Sequence, residues 1–362
     1  MSEPIGVGIL GAGWIAPAHV DGIRRLAGTR VVAISATTKE RAQARAQAMD
    51  IPHAYAGWQD LLADPEVAVV HNCTPTPLHA ETNAAILAAG KHVISDKPLS
   101  VTAAEAQTLL GQARRAGVVH ALTFNHRGFR AVHQLRARIA AGDVGQIHLV
   151  RGAYLQGWLA NPQAHNWRVD ETRLSGTLLD IGSHWLDLLE WSSGVRITSV
   201  MADLHQLHPQ RGGAESGSVL LRFAGGARGA TTISQSATGR GNRLTLEVYG
   251  ARGGLIWSSE EPDQLVRLDP AATTAETIFG DPAAIPPAST LYSVAPARHP
   301  EAWPDAWRNL LAPMYAHIRD GQPPPPGAYP TFADGLRVAQ LLEAVQDSHT
   351  QQRWIDLHAA AH

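Results

Sequence analysis

The chain opens with a strict alternation of two hydrophobic periods. Ile5–Leu10, Val31–Ser35, Val67–Cys73, His92–Ser95 and Val118–Phe124 are short, apolar and rich in β-branched residues, the pattern of strands buried on both faces. Between them, Lys39–Met49, Leu78–Ala89 and Ala103–Ala116 are rich in helix-favouring residues, and Gly90 and Gly117 stand where helices are expected to end. Few folds accept this order, because neighbouring parallel strands need a crossover and a helix supplies it. The first third is predicted to form a parallel, doubly wound sheet.

The rhythm changes near residue 126. Helices are expected over Val132–Ala141 and Thr177–Ser192, the second carrying Asp180, His184 and Asp187, with a strand over Gln146–Tyr154. Extended segments follow at Ile197–Leu204, Ser218–Phe223, Ala230–Ser236, Arg243–Tyr249, Gly254–Trp257 and Gln264–Leu268. Glycine pairs punctuate them, which reads as an antiparallel meander. Pro282–Pro304 reads as a long surface loop, and Pro323–Pro326 separates two late helices, Asp305–Ile318 and Phe332–Asp347. Thr331 is the expected N-cap of the last, with Asp334 three residues on. A length of 362 residues suits two domains, expected at 1–125 and 126–362, with the helix over 332–347 placed to pack back between them.

Composition removes several classes of function. Thirty Lys+Arg against 32 Asp+Glu leave a net charge of −2, without the basic excess of a nucleic-acid binder. No run approaches the ~18 apolar residues of a membrane helix. Cys73 is the single cysteine, which excludes an internal disulfide and a cysteine zinc cage. Met-Ser-Glu-Pro has neither a basic n-region nor a cleavage site, so a cytoplasmic protein is expected.

Gly11-Ala-Gly13-Trp14-Ile15-Ala16 fits G-x-G-x-x-G/A after the first strand. Such a turn needs glycine so that a pyrophosphate can approach the backbone and the following helix N-terminus. Gly11, Gly13, Trp14 and Ile15 are therefore expected at a dinucleotide. NAD sites usually place a carboxylate at the end of the second strand. Here the chain reads Ser35-Ala36-Thr37-Thr38-Lys39, and no carboxylate comes before Glu40. That favours NADP over NAD, Thr38 as a plain helix cap being the alternative.

Four further segments bear chemistry: Asn72-Cys-Thr-Pro-Thr-Pro-Leu-His79, Ser95-Asp96-Lys97-Pro98, Asn166-Trp167-Arg168 and Gly176–His184. The first two end strands of the parallel sheet and converge on its ligand crevice. Asp180 and His184, four apart, share a helix face. Lys, His and Asp beside a nicotinamide suit alcohol oxidation, in which a base takes the hydroxyl proton and a cation stabilises the oxyanion. A metal site needs a third ligand at suitable spacing; Asp187 falls seven residues from Asp180, so no metal is expected.

These motifs resemble the glucose–fructose oxidoreductase/inositol dehydrogenase (Gfo/Idh/MocA) family of NAD(P)-dependent oxidoreductases, over nearly the whole chain. Asp96-Lys97-Pro98 stands where the family usually has Glu-Lys-Pro. The resemblance implies an N-terminal Rossmann domain and a C-terminal domain built on an open, mainly antiparallel sheet with helices on one face. It implies Lys97, Asp180 and His184 as the catalytic set. Thr74, Pro75, His79, Asp96, Lys97, Asn125, Trp167 and Arg168 would line the cofactor. Lys97, Arg127, Tyr154, Gln156, Trp158, Arg168, Asp180 and His184 would meet the substrate. Tyr154-Leu-Gln-Gly-Trp158-Leu and Asn166-Trp-Arg168 are similar to a subgroup of levoglucosan and glucoside 3-dehydrogenases, with Gly157 in place of an Asp. Trp158, Trp167, Trp185 and Trp191 beside Gln156, Asn166 and Arg168 suit a pyranose independently, although Trp185 and Trp191 read more readily as core. The expected function is reversible oxidation of a secondary hydroxyl of a sugar, glycoside or polyol, in a homodimer or homotetramer paired through the C-terminal sheet. A redox-assisted glycosidase and a non-catalytic sugar or dinucleotide sensor are the alternatives.

Overall fold

The structure, a computed structural model, describes residues 3–170, 174–281, 283 and 293–357. The chain forms two compact units. The first comprises 1–128, 290–293 and 303–337, and the second 129–289, 294–302 and 338–362.

In the first unit, β1 (Ile5–Leu10), β2 (Thr29–Ala36), β3 (His53–Ala56), β4 (Val69–Asn72), β5 (His92–Ser95) and β6 (His120–Leu122) form one sheet in the order β3-β2-β1-β4-β5-β6. Every neighbouring pair is parallel. α1 (Ala16–Arg24), α2 (Lys39–Ala48), α3 (Gln59–Ala63), α4 (His79–Ala88) and α5 (Ala103–Ala116) connect them. α5 starts on a Thr102/Glu105 capping box and ends at Gly117 with φ +65°. This is the Rossmann order, which reverses between β1 and β4 and opens the ligand crevice at the strands' carboxyl ends. The sequence pattern missed β3 and α3. His53-Ala-Tyr-Ala56 is a four-residue edge strand with no buried position, so it carries no apolar run.

The second unit holds α6 (Arg130–Ala140), β7 (Ile147–Leu155), α7 (Trp167–Asp170) and α8 (Ser183–Ser193). β8 (Ile197–His205), β9 (Ser216–Phe223), β10 (Arg228–Ser234), β11 (Arg243–Gly250), β12 (Gly253–Ser258), β13 (Gln264–Leu268), β14 (Ala275–Phe279) and β15 (Ile355–Asp356) complete it. The sheet order is β14-β13-β12-β11-β7-β10-β9-β8-β15. The expected continuous meander is thus interrupted: β7 inserts between β10 and β11 and runs parallel to β10. A strand that precedes a helix in the chain has room for the long crossover a parallel pairing needs. Burial alternates strictly along β9, and the buried Trp185 of α8 donates Nε1–H to Thr245 O at 3.0 Å. Leu149 and Leu220 remain exposed on the sheet. β14 escaped the sequence reading because four of its five residues are exposed.

The helix expected over Thr177–Ser192 begins differently. Leu178–Gly182 form a π-helical turn before α8. Ser183 Oγ donates to Leu179 O (2.7 Å) and lies 3.2 Å from Asp180 O, which supplies a donor to carbonyls in the widened turn.

α9 (Trp303–Asp320) belongs to the first unit, where Trp307, Leu310, Leu311, Met314 and Tyr315 join a core with Val7, Ile9, Val20, Ile23 and Val69. Gly22 admits α9 closely, since a Cβ there would lie 3.0 Å from Leu311 Cδ1. α10 (Phe332–Gln351) starts as expected: Thr331 N and Oγ1 both donate to Asp334 Oδ2 at 2.8 Å. Of the expected Pro282–Pro304 loop, 282 and 284–292 lie outside the described residues, while 303 and 304 are helical. No described helix is long and apolar enough to cross a membrane.

The first unit's core holds histidines that are neutral when folded. His19 Nδ1 lies 2.7 Å from His71 Nδ1, and His71 Nε2 2.8 Å from Tyr315 Oη. Burial lowers the His19 pKa to about 4 and pushes His71 well down; it lowers His126 to about 3, aided by the Lys97 charge. Because the folded values are depressed, this stability is present above the unfolded value near 6.5 and is lost as pH falls toward 4. The melting temperature is expected to drop steadily between pH 6.5 and 4.5 in calorimetry; a constant value there would contradict the neutral assignment.

Candidate active site

Gly11 turns the chain at the end of β1 with φ +100°. Its N–H donates to Ser35 O (3.1 Å), and a Cβ would fall 2.7 Å from Cys73 O, so the fold itself demands glycine. Gly13 differs: a Cβ there would meet only Cys73 O, at an ordinary 3.9 Å. The chain's own packing does not account for the second glycine, but a pyrophosphate lying against the backbone does. No side chain caps α1, which begins directly after the turn, so its first N–H groups suit an anion. Trp14 is 82% exposed and Ile15 half-buried. At the end of β2, Ser35 and Ala36 are buried while Thr37, Thr38 and Lys39 are exposed. Thr38 caps α2 through the Arg41 N–H (3.3 Å), and Lys39 Nζ donates to Ala54 O at 2.6 Å.

A buried amide network ties the ends of β4 and β5 together. Asn72 Nδ2 donates to Thr82 Oγ1 and Asn83 Oδ1, both at 2.8 Å, and Asn72 Oδ1 accepts from Thr74 Oγ1 at 2.8 Å. Asn83 Nδ2 reaches Ser95 Oγ at 3.0 Å, and Ser95 Oγ donates to Asp96 O. Asp96 N donates to Asn72 O (2.8 Å), and Asp96 Oδ1 accepts from Thr123 Oγ1 (2.8 Å). His79 is 1% exposed, with its ring nitrogens 2.7 Å from Pro98 O and 2.8 Å from Thr74 O. It fastens the Thr74-Pro75 loop to the loop of the half-buried Lys97, whose bond to Pro98 is cis. Asn125 is buried at the start of a 3₁₀ turn. Arg127, expected at the substrate, is buried and pairs with Asp334 at 2.9 Å. Burial opposes ionisation of Asp334, but Arg127 and Thr331 outweigh it and hold the carboxyl below its ordinary value.

In the second unit, Asp180 sits in the π-turn and His184 in the first turn of α8, buried, its ring 6.1 Å from that of buried Tyr154. Asp180 Oδ2 is 3.1 Å from Arg168 Nε and accepts from Gln235 Nε2 at 2.8 Å. Tyr154 Oη and Gln156 Nε2 both donate to Asn242 Oδ1 at 2.8 Å, while Trp158 Nε1 donates to Gln156 Oε1 at 3.1 Å. Burial, then the Asp180 charge, pushes the Tyr154 phenol far up, so it stays a donor. The side chain of Trp167 lies outside the described part of the structure; Trp185 is core, and Trp191 carries the Arg136 guanidinium 4.5 Å from its ring centre.

The sequence reading missed the supports of this unit. Arg211, buried, donates to Leu159 O (2.8 Å) and Asn161 O (2.7 Å) and pairs with buried Glu215 at 2.7 Å, which anchors the segment between Trp158 and Arg168. Gly157 also has a physical reason: a Cβ there would fall 2.7 Å from Ala237 O and 3.1 Å from Arg240 O, so the turn after β10 excludes the Asp of the subgroup pattern.

Residues 5–124 match the model of the oxidoreductase family with an NAD-binding Rossmann fold, and residues 132–256 that of the GFO/IDH/MocA C-terminal domain. The chain belongs to the Gfo/Idh/MocA family of NAD-binding oxidoreductases. It is 28% identical to levoglucosan dehydrogenase of Pseudarthrobacter phenanthrenivorans, over 90% of this chain and 88% of that one. Among solved structures it is similar to a levoglucosan dehydrogenase in complex with NADH and levoglucosan (TM-score 0.88, 26% identity, 98% and 99% of the two chains). It is likewise similar to an inositol dehydrogenase homologue of Azotobacter vinelandii complexed with NAD+ (TM-score 0.90, 26% identity, 99% and 98%).

Proposed function

We propose that this protein oxidises, reversibly, a secondary hydroxyl of a sugar, glycoside or polyol. The observation that carries the reading is Asp180, held by Arg168 and Gln235 one turn before His184 and beside the Tyr154–Gln156–Asn242 hydrogen-bonding group. That set matches the chemistry of a polyhydroxylated ligand, and relatives named for levoglucosan and inositol support it. His184 takes the hydroxyl proton as the carbonyl forms, Lys97 stabilises the developing oxyanion, and Asp180 orients the imidazole. A bound nicotinamide dinucleotide supplies the hydride acceptor. Gly11, Gly13 and the residues at the ends of β2, β4 and β5 hold it; its domain is the first unit, which takes in 303–337 as well as the expected 1–125, and the second unit is that of the substrate. Copies pair through the open face of the second sheet, where Leu149 and Leu220 are exposed.

NADP is the preferred cofactor in this reading, because Ser35–Lys39 present no carboxylate to repel a 2′-phosphate. The test is a panel of sugars, glycosides and inositols assayed by nicotinamide absorbance with NAD and NADP separately. Wild type is expected to reduce at least one cofactor with a ring hydroxyl as donor; no reduction with any member refutes the proposed activity. Ala36→Asp, folded by circular dichroism, is expected to shift selectivity toward NAD by about tenfold or more, as one carboxylate–phosphate repulsion of ~1.4 kcal/mol suffices. Unchanged selectivity removes Ala36 from the ribose site.

A further inference from the structure

We infer that Gln235 is a positioning residue that sets the orientation of Asp180, keeps it ionised, and fixes the hydrogen-bonding direction of Gln156. The inference rests on reading Asp180 and His184 as reacting groups.

Gln235 follows β10 and is fully buried. Its backbone N–H donates to Glu215 O and its carbonyl accepts from Leu159 N–H, both at 2.8 Å, so its main chain is pinned on two sides. Its side-chain Oε1 accepts from Thr177 Oγ1 at 3.0 Å. Nε2 carries two protons and has two acceptors, Asp180 Oδ2 at 2.8 Å and Gln156 Oε1 at 3.0 Å. The amide orientations are forced from both ends. An ionised carboxylate only accepts, and the Trp158 indole, 3.1 Å from the same Gln156 Oε1, only donates. Gln156 must therefore turn its nitrogen to Asn242 Oδ1, where the Tyr154 hydroxyl also donates.

Asp180 Oδ2 thus takes the Gln235 amide and the Arg168 guanidinium together. The Gln235 hydrogen bond holds the carboxylate against rotation, and the guanidinium charge beside the same oxygen favours its charged form. Among the titratable and charged groups near Asp180 are Arg168 and the Tyr154 phenol, with His184 one turn on along the chain. Arg168 and Gln235 favour the carboxylate. Gln235 does so without adding a charge, which leaves the imidazole as the group whose proton is exchanged.

Two variants separate orientation from mere packing. Gln235→Met keeps the length and removes both donors; Gln235→Glu keeps the shape and sets a second carboxylate against Asp180. The titration of Asp180 is followed by carboxyl 13C resonance in the full-length protein labelled at aspartate, assigned through its loss in Asp180→Asn. The midpoint is expected to rise by about one pH unit in Gln235→Met and further in Gln235→Glu, where two carboxylates share a proton. An unchanged midpoint overturns the inference. In wild type the Gln235 side-chain amide protons are expected to exchange slowly with solvent, and fast exchange overturns it even where a variant fails to fold. On the substrate found by the panel, kcat is expected to fall about 10–100-fold in Gln235→Met while dinucleotide affinity stays within about twofold. An enzyme that oxidises no sugar or polyol sinks the proposed function alone, since the titration and exchange still decide the role of Gln235.

Discussion

His184→Ala is expected to lower kcat for sugar oxidation by about 10²–10⁴, the usual size of general-base catalysis. The base must be neutral to accept a proton, so the wild-type rate rises with pH as the imidazole deprotonates, and the variant loses that limb. Dinucleotide affinity should hardly change, because the glycine turn and the strand ends of the first unit are untouched. Lys97→Ala is expected to cost at least as much, as it strips the oxyanion of its cation. Steady-state kinetics across pH for both variants, with cofactor binding by calorimetry, separate an enzyme from a sensor. A sensor would change ligand affinity and nothing else. Wild-type kcat and pH profile in His184→Ala would falsify the mechanism.

The second large effect divides the two fingerprint glycines by cause. Gly13→Val is expected to leave the fold intact, since even a Cβ meets nothing closer than 3.9 Å, and to weaken dinucleotide binding by about 10²-fold or more by filling the pyrophosphate's place. Gly11→Ala is expected to lower thermal stability instead, because the Cys73 carbonyl lies 2.7 Å from the new methyl and φ is +100°. Calorimetric titration and thermal melts of the pair give opposite patterns if the glycines serve ligand and fold respectively. Normal affinity in Gly13→Val removes the cradle.

The parallel sheet was legible because strands buried on both faces cannot avoid apolar runs: β1, β5 and α5 fall on the predicted bounds. Edge elements were not, as β3 and β14 bury too little to need such residues. The order of the second sheet was hidden too, since pairing of β7 with β10 joins segments some 80 residues apart and no local pattern encodes it. The same limit governed the site. The sequence named the side chains with distinctive chemistry, Lys97, Asp180 and His184, but not what holds them. Gln235 lies 55 residues from Asp180 and 79 from Gln156, and Arg211 lies 52 from Leu159. One local signal existed: a glutamine directly after the buried Ile233 and Ser234 needs internal partners.

The return of α9 to the first unit has a consequence for anyone dividing this chain. The nucleotide-binding half is not a segment that one cut releases. A fragment ending at Gly128 would lack Trp307, Leu310, Leu311, Met314 and Tyr315, exposing the apolar flank of α1 and leaving Gly128 without the Ala306 backbone against which it fits. Recombination between relatives therefore has to exchange two stretches together, the opening 128 residues and the helix more than 170 positions later. Chimaeras that swap only the first inherit a mismatched wall.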